Sequence, residues 1–236
     1  MPTYSLTDPV AATFVVIPVA LVLLLLWATA VAYRQRGAAL IVTLVGVCAA
    51  LWMGGTWTLA STGVLRRWDA TPPPFAVLVV AIFVLAGTLA WSPFGHRLVT
   101  AIPLWLLILI QAFRFPLELA MHAMYERGVM PAQMSYSGRN FDIVTGVSAV
   151  IVAIVVRAGG GRRLAKAWNV LGLLLVLNVT TVALLSTPRF RYFGDDNLNT
   201  WVTYPPYVWL PAIMVLAAIS GHLLILRAFR TSKFPG

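Results

Sequence analysis

The chain has 236 residues, of which 60% are hydrophobic and only 10% are charged. A soluble domain of this size surrounds its core with charged residues, and this composition excludes that class of protein. A net charge of +10 would suggest a nucleic-acid partner on a soluble protein. Here the basic residues lie in short links between apolar runs, which is typical of membrane proteins and argues against nucleic-acid binding.

Seven apolar runs follow one another along the chain, and a helix needs about 20 apolar residues to cross a bilayer. We therefore predict an all-α fold, a polytopic transmembrane helical bundle that occupies residues 1–236 as a single transmembrane domain. The fifth run is short and is expected to begin inside the interface. In chain order the predicted spans are residues 10–32, 38–64, 75–91, 98–125, 141–156, 165–185 and 206–226.

The distribution of Lys and Arg predicts the orientation of the seven spans. With the N-terminus outside, ten basic residues fall in cytoplasmic links and six in outside links, so the C-terminus is expected in the cytoplasm. No basic residue precedes the first apolar run, and this favours a retained span over a cleaved signal. The Arg-rich, Lys-poor composition suggests a bacterial protein, hence a multi-pass protein of the cytoplasmic (inner) membrane.

The fourth span carries an unusual polar stripe. Its members are spaced by three or four residues and therefore share one face of a helix, about 80° wide. A charge in mid-membrane costs at least about 2.5–3.5 kcal/mol unless it is paired or hydrated. We expect the stripe to face the interior of the bundle or a water-filled cavity. The stripe consists of Gln111, Arg114, Glu118, His122 and Tyr125.

Spacing along the stripe predicts which of its side chains form pairs. Arg114 and Glu118 are four residues apart, as are Glu118 and His122, so each couple is expected to interact. Pro116 lies within the stripe and lacks the backbone N–H that would bond to the carbonyl of Ala112. A break of this kind near charged groups predicts a cavity.

Polar and aromatic residues on other spans are expected to complete a pocket that opens outward. Asp142 begins the fifth span, Asn178 lies in the outer half of the sixth, and Trp57 lies in the second beside Trp52. An apolar, aromatic wall with few polar groups is typical of ligand sites. The alternative is a structural ion-pair network that joins the fourth helix to its neighbours.

No metal and no cofactor are expected. His122 has a carboxylate one turn away on either side, but Arg114 on the same stripe opposes a cation electrostatically. The other two histidines, His96 and His222, are expected near the cytoplasmic face, far from His122. No paired His or Cys spacing typical of a metal site occurs.

The first functional hypothesis is binding of a small or lipid-like molecule in an outward-facing pocket, with transport across the membrane as its extension. In it Arg114 holds an anionic group, and Glu118 and His122 exchange a proton. The alternatives are an intramembrane enzyme that uses Glu118 and His122 as acid and base on a lipid or isoprenoid, and a non-catalytic subunit of a membrane complex. Whether the chain is an enzyme stays open, and its expected partners are the lipid bilayer, the ligand, and further copies of itself or other membrane subunits.

Overall fold

The structure, a computed structural model, describes residues 8–34 and 37–231. This part of the chain is helical without strands, and six of its helices are long and apolar enough to cross a membrane. The protein is therefore a multi-pass membrane protein. The six are α1 (Pro9–Ala32), α2 (Ala38–Ser61), α3 (Pro74–Trp91), the composite helix Leu104–Glu126, α8 (Arg162–Leu185) and the composite helix Leu210–Thr231.

The remaining helical segments are shorter, and five of them make up the two composite helices. A separate helix α4 (Pro93–Ala101) precedes the first composite helix, which consists of α5 (Leu104–Ile110), a 3-10 turn (Gln111–Phe113) and α6 (Arg114–Glu126). Helix α7 (Ile143–Arg157) follows. The second composite helix begins as a π-helix (Leu210–Val215) and continues as α9 (Leu216–Thr231).

Helix α4 was not predicted, because its residues were divided between a link and the start of the fourth span. The hydroxyl of Ser92 accepts a hydrogen bond from the backbone N–H of Gly95 at 3.1 Å, and Pro93 occupies the first helical position. Both features start a helix. Ile102 is extended because it precedes Pro103, and this ends α4 before α5 begins.

The last helix is the central element of the bundle. It is the most buried of the six candidate spans, and α3, α5 and α8 pack around it. The predicted span 206–226 was placed too early, since the helix begins at Leu210 and continues to Thr231. Residues that the predicted bounds placed near the end of this span therefore lie near the middle of the helix, at the centre of the bundle.

Helix α2 packs on α1, and two tryptophans attach it to the π-helix. The indole N–H of Trp52 donates to the carbonyl of Ala212 at 2.9 Å. In the opposite direction, the indole N–H of Trp209 donates to the carbonyl of Met53 at 3.2 Å. The ring of Trp57 also lies 5.0 Å from that of Trp209.

The segment between α6 and α7 folds back into the bundle. Gln133 is buried there and donates to Ser186 Oγ at 2.9 Å and to the carbonyl of Asn197 at 2.8 Å. Irregular backbone at membrane depth is tolerated where protein surrounds it in this way. Because the segment returns to the middle of the bundle, α7 needs only 15 residues, about 22 Å of helix against a hydrocarbon core of about 30 Å.

We call the end of the bundle with the long links 62–73, 127–142 and 186–209 the loop end. Asp8 and Arg127 join α1 to α6 there, with Arg127 Nη1 2.5 Å from Asp8 Oδ2. The hydrogen bond from Arg127 lowers the pKa of the Asp8 carboxyl below its ordinary value. The carboxyl oxygen Oδ1 also caps α1 by accepting from the N–H of Val10.

We expect Asp8→Asn to lower the melting temperature at neutral pH, because it removes the ion pair while an amide oxygen can still cap α1. A carboxyl with a lowered pKa in the folded state stabilises the fold above the unfolded pKa of about 3.9. This contribution is lost as the pH falls through the lowered pKa. The difference between wild type and Asp8→Asn should therefore shrink on acidification, whereas a constant difference from pH 7 to pH 3 would contradict the assignment.

Candidate functional site

The side chain of Arg114 is buried in the middle of the bundle and pairs with Asp142. Its Nη2 lies 2.5 Å from Asp142 Oδ1, and its Nε donates to Asp142 Oδ2 at 2.6 Å. Arg114 is 1% exposed and Asp142 4%, so the pair is shielded from solvent. The predicted ion pair of Arg114 with Glu118 is wrong, because the folded-back segment brings a closer carboxylate, that of Asp142, immediately before α7.

A histidine of the last helix extends the pair. Arg114 Nη1 lies 2.9 Å from His222 Nε2, and a guanidinium can only donate. Nε2 therefore accepts, which leaves a neutral ring with its proton on Nδ1. That nitrogen lies 2.9 Å from Asn169 Oδ1, which accepts its proton, and Asn169 Nδ2 donates back to the carbonyl of His222 at 3.2 Å. The network Asp142–Arg114–His222–Asn169 thus joins α6, α7, α8 and α9.

Local sequence explains how Arg114 reaches this position. Pro116 cannot donate to the carbonyl of Ala112, and the backbone tightens into the 3-10 turn Gln111–Phe113 just before it. Gly146 of α7 packs directly on the backbone of Phe115, where a Cβ would lie well inside van der Waals contact. The turn and the glycine together allow α7 to approach α6 closely enough for Asp142 to contact Arg114.

Glu118, one turn beyond Arg114, has a different partner. Its Oε2 accepts a hydrogen bond from Asn140 Nδ2 at 2.7 Å. Asn140 is held by the carbonyl of Met134, to which Nδ2 also donates at 3.0 Å, and by the N–H of Asp142, which donates to its Oδ1 at 3.1 Å. The folded-back segment therefore positions a single amide donor on the Glu118 carboxyl.

Glu118 contributes to the lining of a cavity of about 60 Å³. Helices α3 and α8 flank the cavity; both pack on the last helix, but they make little contact with each other. Buried Asn199 and Val202 of the link before the last helix lie over it, so loops cover the cavity at the loop end. The apolar lining includes Phe75, Val79, Ile82, Leu117, Met121, Met134, Val176, Val179, Ala183, Met214 and Ala218.

Three of the eight predicted site residues, Arg114, Glu118 and Asp142, line this cavity. Gln111 is also buried, and its amide lies against the carbonyl of Ala218 at 3.5 Å.

The other predicted residues lie elsewhere. The side chain of His122 is 23% exposed, and its Nδ1 lies 2.7 Å from Ser135 Oγ, so its predicted pairing with Glu118 is wrong. Tyr125 is exposed beside it. Asn178 donates to the carbonyl of Arg139, and Trp57 contacts Trp209 away from the cavity.

His222 and Asn169 were missed as members of the network. His222 was expected near the cytoplasmic face because the last span was placed too early, and it lies in mid-bundle instead. The sequence feature that could have indicated this contact is Gly172, a glycine within a span and one turn after Asn169. In the structure a Cβ at Gly172 would lie only 2.8 Å from His222 Nε2. Within the described residues, no three His, Cys, Asp or Glu side chains converge to hold a metal.

Comparisons with known proteins identify a family without indicating an activity. No curated protein and no solved structure matches the chain. A family model described as "Domain of unknown function (DUF8737)" matches residues 72–230, about two thirds of the 236 residues. The match extends from α3 to the last turn of α9 and contains every residue of the Asp142–Arg114–His222–Asn169 network and of the cavity lining. The chain belongs to this DUF8737 family.

Proposed function

We propose that the protein binds a lipid-like molecule in the cavity beside Glu118. The observation that carries the proposal is an apolar cavity whose polar end includes an ionisable carboxyl with one hydrogen-bond partner. A volume of about 60 Å³ is well below the 300–1,000 Å³ of a drug-sized pocket. It has room only for the headgroup end of a single narrow alkyl or isoprenoid chain, whose remainder would lie in the bilayer. The gap between α3 and α8 gives such a chain a sideways route from the bilayer.

The charges at the cavity favour a ligand whose polar end donates a hydrogen bond, such as a hydroxyl or an amine. Arg114 was the expected anchor for an anion, but Asp142 already neutralises it, and His222 accepts a hydrogen bond from another of its N–H groups. Glu118 is one acceptor that remains at the cavity. Asn199 provides another, because its buried Oδ1 accepts no hydrogen bond from the described residues. A carboxylate ligand would have to displace Asp142 from Arg114.

Binding is better supported than transport or catalysis. Transport requires a path to both faces, and a second apolar cluster, which includes Leu98, Ile108, Val152 and Phe229, fills the bundle at the end opposite the loop end. An acid–base pair made of Glu118 and His122 is disfavoured, because His122 bonds to Ser135 instead. Membership of a larger membrane complex is compatible with ligand binding.

A long-chain alcohol with a diazirine on its alkyl chain is the probe for this proposal. Photolysis of the purified protein should label residues of α8 and the last helix that line the cavity. Ala183→Leu fills the cavity and should abolish that labelling. Ala167→Leu, an equal change at an exposed site of the same helix, should leave it intact. Unchanged labelling in Ala183→Leu, or equal loss in both variants, would contradict the proposal.

The polar end is tested with matched probes that differ only in their headgroup. Alcohol and amine probes should label wild type more strongly than the corresponding fatty acid. Glu118→Leu removes the acceptor and should weaken labelling by the alcohol and the amine, while Glu118→Gln should weaken only the amine. If the fatty acid labels best and its labelling requires Arg114, the anionic ligand first expected from the sequence is correct instead.

For the membrane arrangement we propose seven spans in the inner membrane of a bacterium, with the N-terminus outside. The span that is added to the six long helices is α7, the fifth in chain order. The folded-back segment completes this span at the loop end. All seven acidic residues lie at the loop end or in mid-bundle. At the opposite end, basic side chains lie over aromatic rings, as Arg97 does over Tyr33 at 4.5 Å and Arg157 over Trp105 at 4.8 Å, which suits a cytoplasmic interface.

A pair of reporters at the C-terminus tests this arrangement. We expect a C-terminal green fluorescent protein to be bright and a C-terminal alkaline phosphatase to be inactive, because seven spans from an outside N-terminus place residue 236 in the cytoplasm. High phosphatase activity would show an even number of spans or an inverted bundle.

A further inference from the structure

A second apolar groove, separate from the cavity at Glu118, lies between α2 and α3. Its volume is about 410 Å³, within the range of ligand sites. Its one hydroxyl group, that of Thr56, is bonded to the carbonyls of Trp52 and Met53 in its own helix, so the groove offers only apolar contact. The lining residues are Leu51, Trp52, Gly55, Thr56, Leu59, Val64, Leu65, Pro72, Pro74, Val77, Leu78 and Ala81.

The groove is open sideways because α2 and α3 make little contact with each other along their length. The 3-10 turn Val64–Arg66 closes the groove at the loop end. Leu51 and Val77 on its rims are 71% and 50% exposed. In a membrane those rims meet lipid chains, so the groove is suited to an acyl chain that lies along α3.

The turn that closes the groove is followed by one basic and one acidic side chain. Arg67 and Asp69 are both exposed, and neither has an ion-pair or hydrogen-bond partner for its side chain among the described residues. Arg66 differs, because its guanidinium turns inward, donates to the carbonyls of Ala60 and Thr203, and lies over the ring of Tyr204. A cation and an anion two residues apart thus remain free at the headgroup end of the groove.

We propose that this groove holds a phospholipid with a zwitterionic amine headgroup, phosphatidylethanolamine, with one acyl chain between α2 and α3. Arg67 binds the phosphate and Asp69 binds the ammonium group. The charge pattern favours this lipid over an anionic one, because a headgroup without an ammonium leaves Asp69 next to like charge. The site is distinct from the cavity at Glu118 and needs no ligand there.

Two adjacent glycines of α2 give a matched test of the groove. A Cβ at Gly55 or at Gly54 meets no atom within 4 Å, so both positions accept the first atom of a larger side chain equally well. Gly55 lines the groove and Gly54 does not. Native mass spectrometry of the full chain in nanodiscs of equal parts phosphatidylethanolamine and phosphatidylglycerol should show phosphatidylethanolamine retained on wild type and on Gly54→Leu. Gly55→Leu should lose it.

The headgroup variants test the charges. Arg67→Gln should weaken retention of phosphatidylethanolamine by at least about tenfold, since a charge-assisted hydrogen bond contributes about 1.5–3 kcal/mol. Asp69→Asn should shift retention toward phosphatidylglycerol. Arg189→Gln changes an exposed arginine of another link and should change nothing. Retention of phosphatidylethanolamine by Gly55→Leu, its loss from Gly54→Leu, or equal effects of Arg67→Gln and Arg189→Gln would overturn the proposal.

Discussion

Replacement of Asp142 by Ala is expected to destabilise the protein by about 3–5 kcal/mol, the usual cost of breaking a buried ion pair from one side. Arg114 would keep its charge at 1% exposure, would lose its hydrogen-bonded carboxylate, and would keep the neutral ring of His222 as its hydrogen-bond partner. The loss of stability arises because an uncompensated cation stays buried, rather than because the attraction between Arg114 and Asp142 is missing. Urea or SDS unfolding of the purified protein measures it.

Removal of both charges should cost less than removal of the carboxylate alone. In Asp142→Ala with Arg114→Met, an apolar side chain of similar length replaces the cation, so no unpaired charge stays buried. Glu118→Ala provides the contrast, because Glu118 bonds to Asn140 rather than to Arg114. Arg114→Met should therefore rescue Asp142→Ala and fail to rescue Glu118→Ala. If Arg114→Met rescued Glu118→Ala and not Asp142→Ala, the partner of Arg114 would be Glu118, as the helical spacing first suggested.

Gly146→Ala is the second change with a large expected effect. The added Cβ would overlap the backbone nitrogen of Phe115, and a helix backbone cannot rotate aside as a side chain can. Overpacking of this kind costs about 1–3 kcal/mol, which exceeds the gain of about 1 kcal/mol that Ala brings over Gly in a helix. Displacement of α7 would also separate Asp142 from Arg114, so we expect a lower melting temperature together with a weakened ion pair.

Gly87 of α3 is the matched control for this substitution. A Cβ there meets nothing within 4 Å, so Gly87→Ala should be neutral or should stabilise by up to about 1 kcal/mol. The change in stability is thus expected to have opposite signs for the two substitutions, although both replace a glycine in a helix. Equal stabilisation by both changes would show that α7 does not pack on α6 as closely as described.

The helical membrane character was predictable from the sequence, and so was the burial of the inner part of the polar stripe. Apolar runs separated by charged links indicate spans, and the cost of a charge in lipid predicted that Arg114 and Glu118 would face inward, which their 1% exposure confirms. The prediction that the whole stripe faces inward fails for its outer end. His122 and Tyr125 emerge at the loop end, where contact with water removes that cost.

The partner of Arg114 was not predictable from helical spacing. Spacing identifies neighbours on one helix, and it favoured Glu118. The actual partner, Asp142, is 28 residues away and depends on the folded-back segment, whose irregular backbone has no periodic signature. His222 was missed for another reason, because an error of a few residues in the bounds of the last span moved it from mid-bundle to the end.

An experimental density map of the protein in lipid nanodiscs, at a resolution that separates side chains, tests the central claim most directly. If the protein binds a lipid-like molecule, the map should contain an elongated density that enters between α3 and α8 and ends within hydrogen-bond distance of the Glu118 carboxyl. Glu118→Leu should lose the density at that end. A cavity closed by its own side chains, or one that contains only isolated water peaks beside Glu118, would contradict the account and leave the buried polar network as a structural element of the bundle.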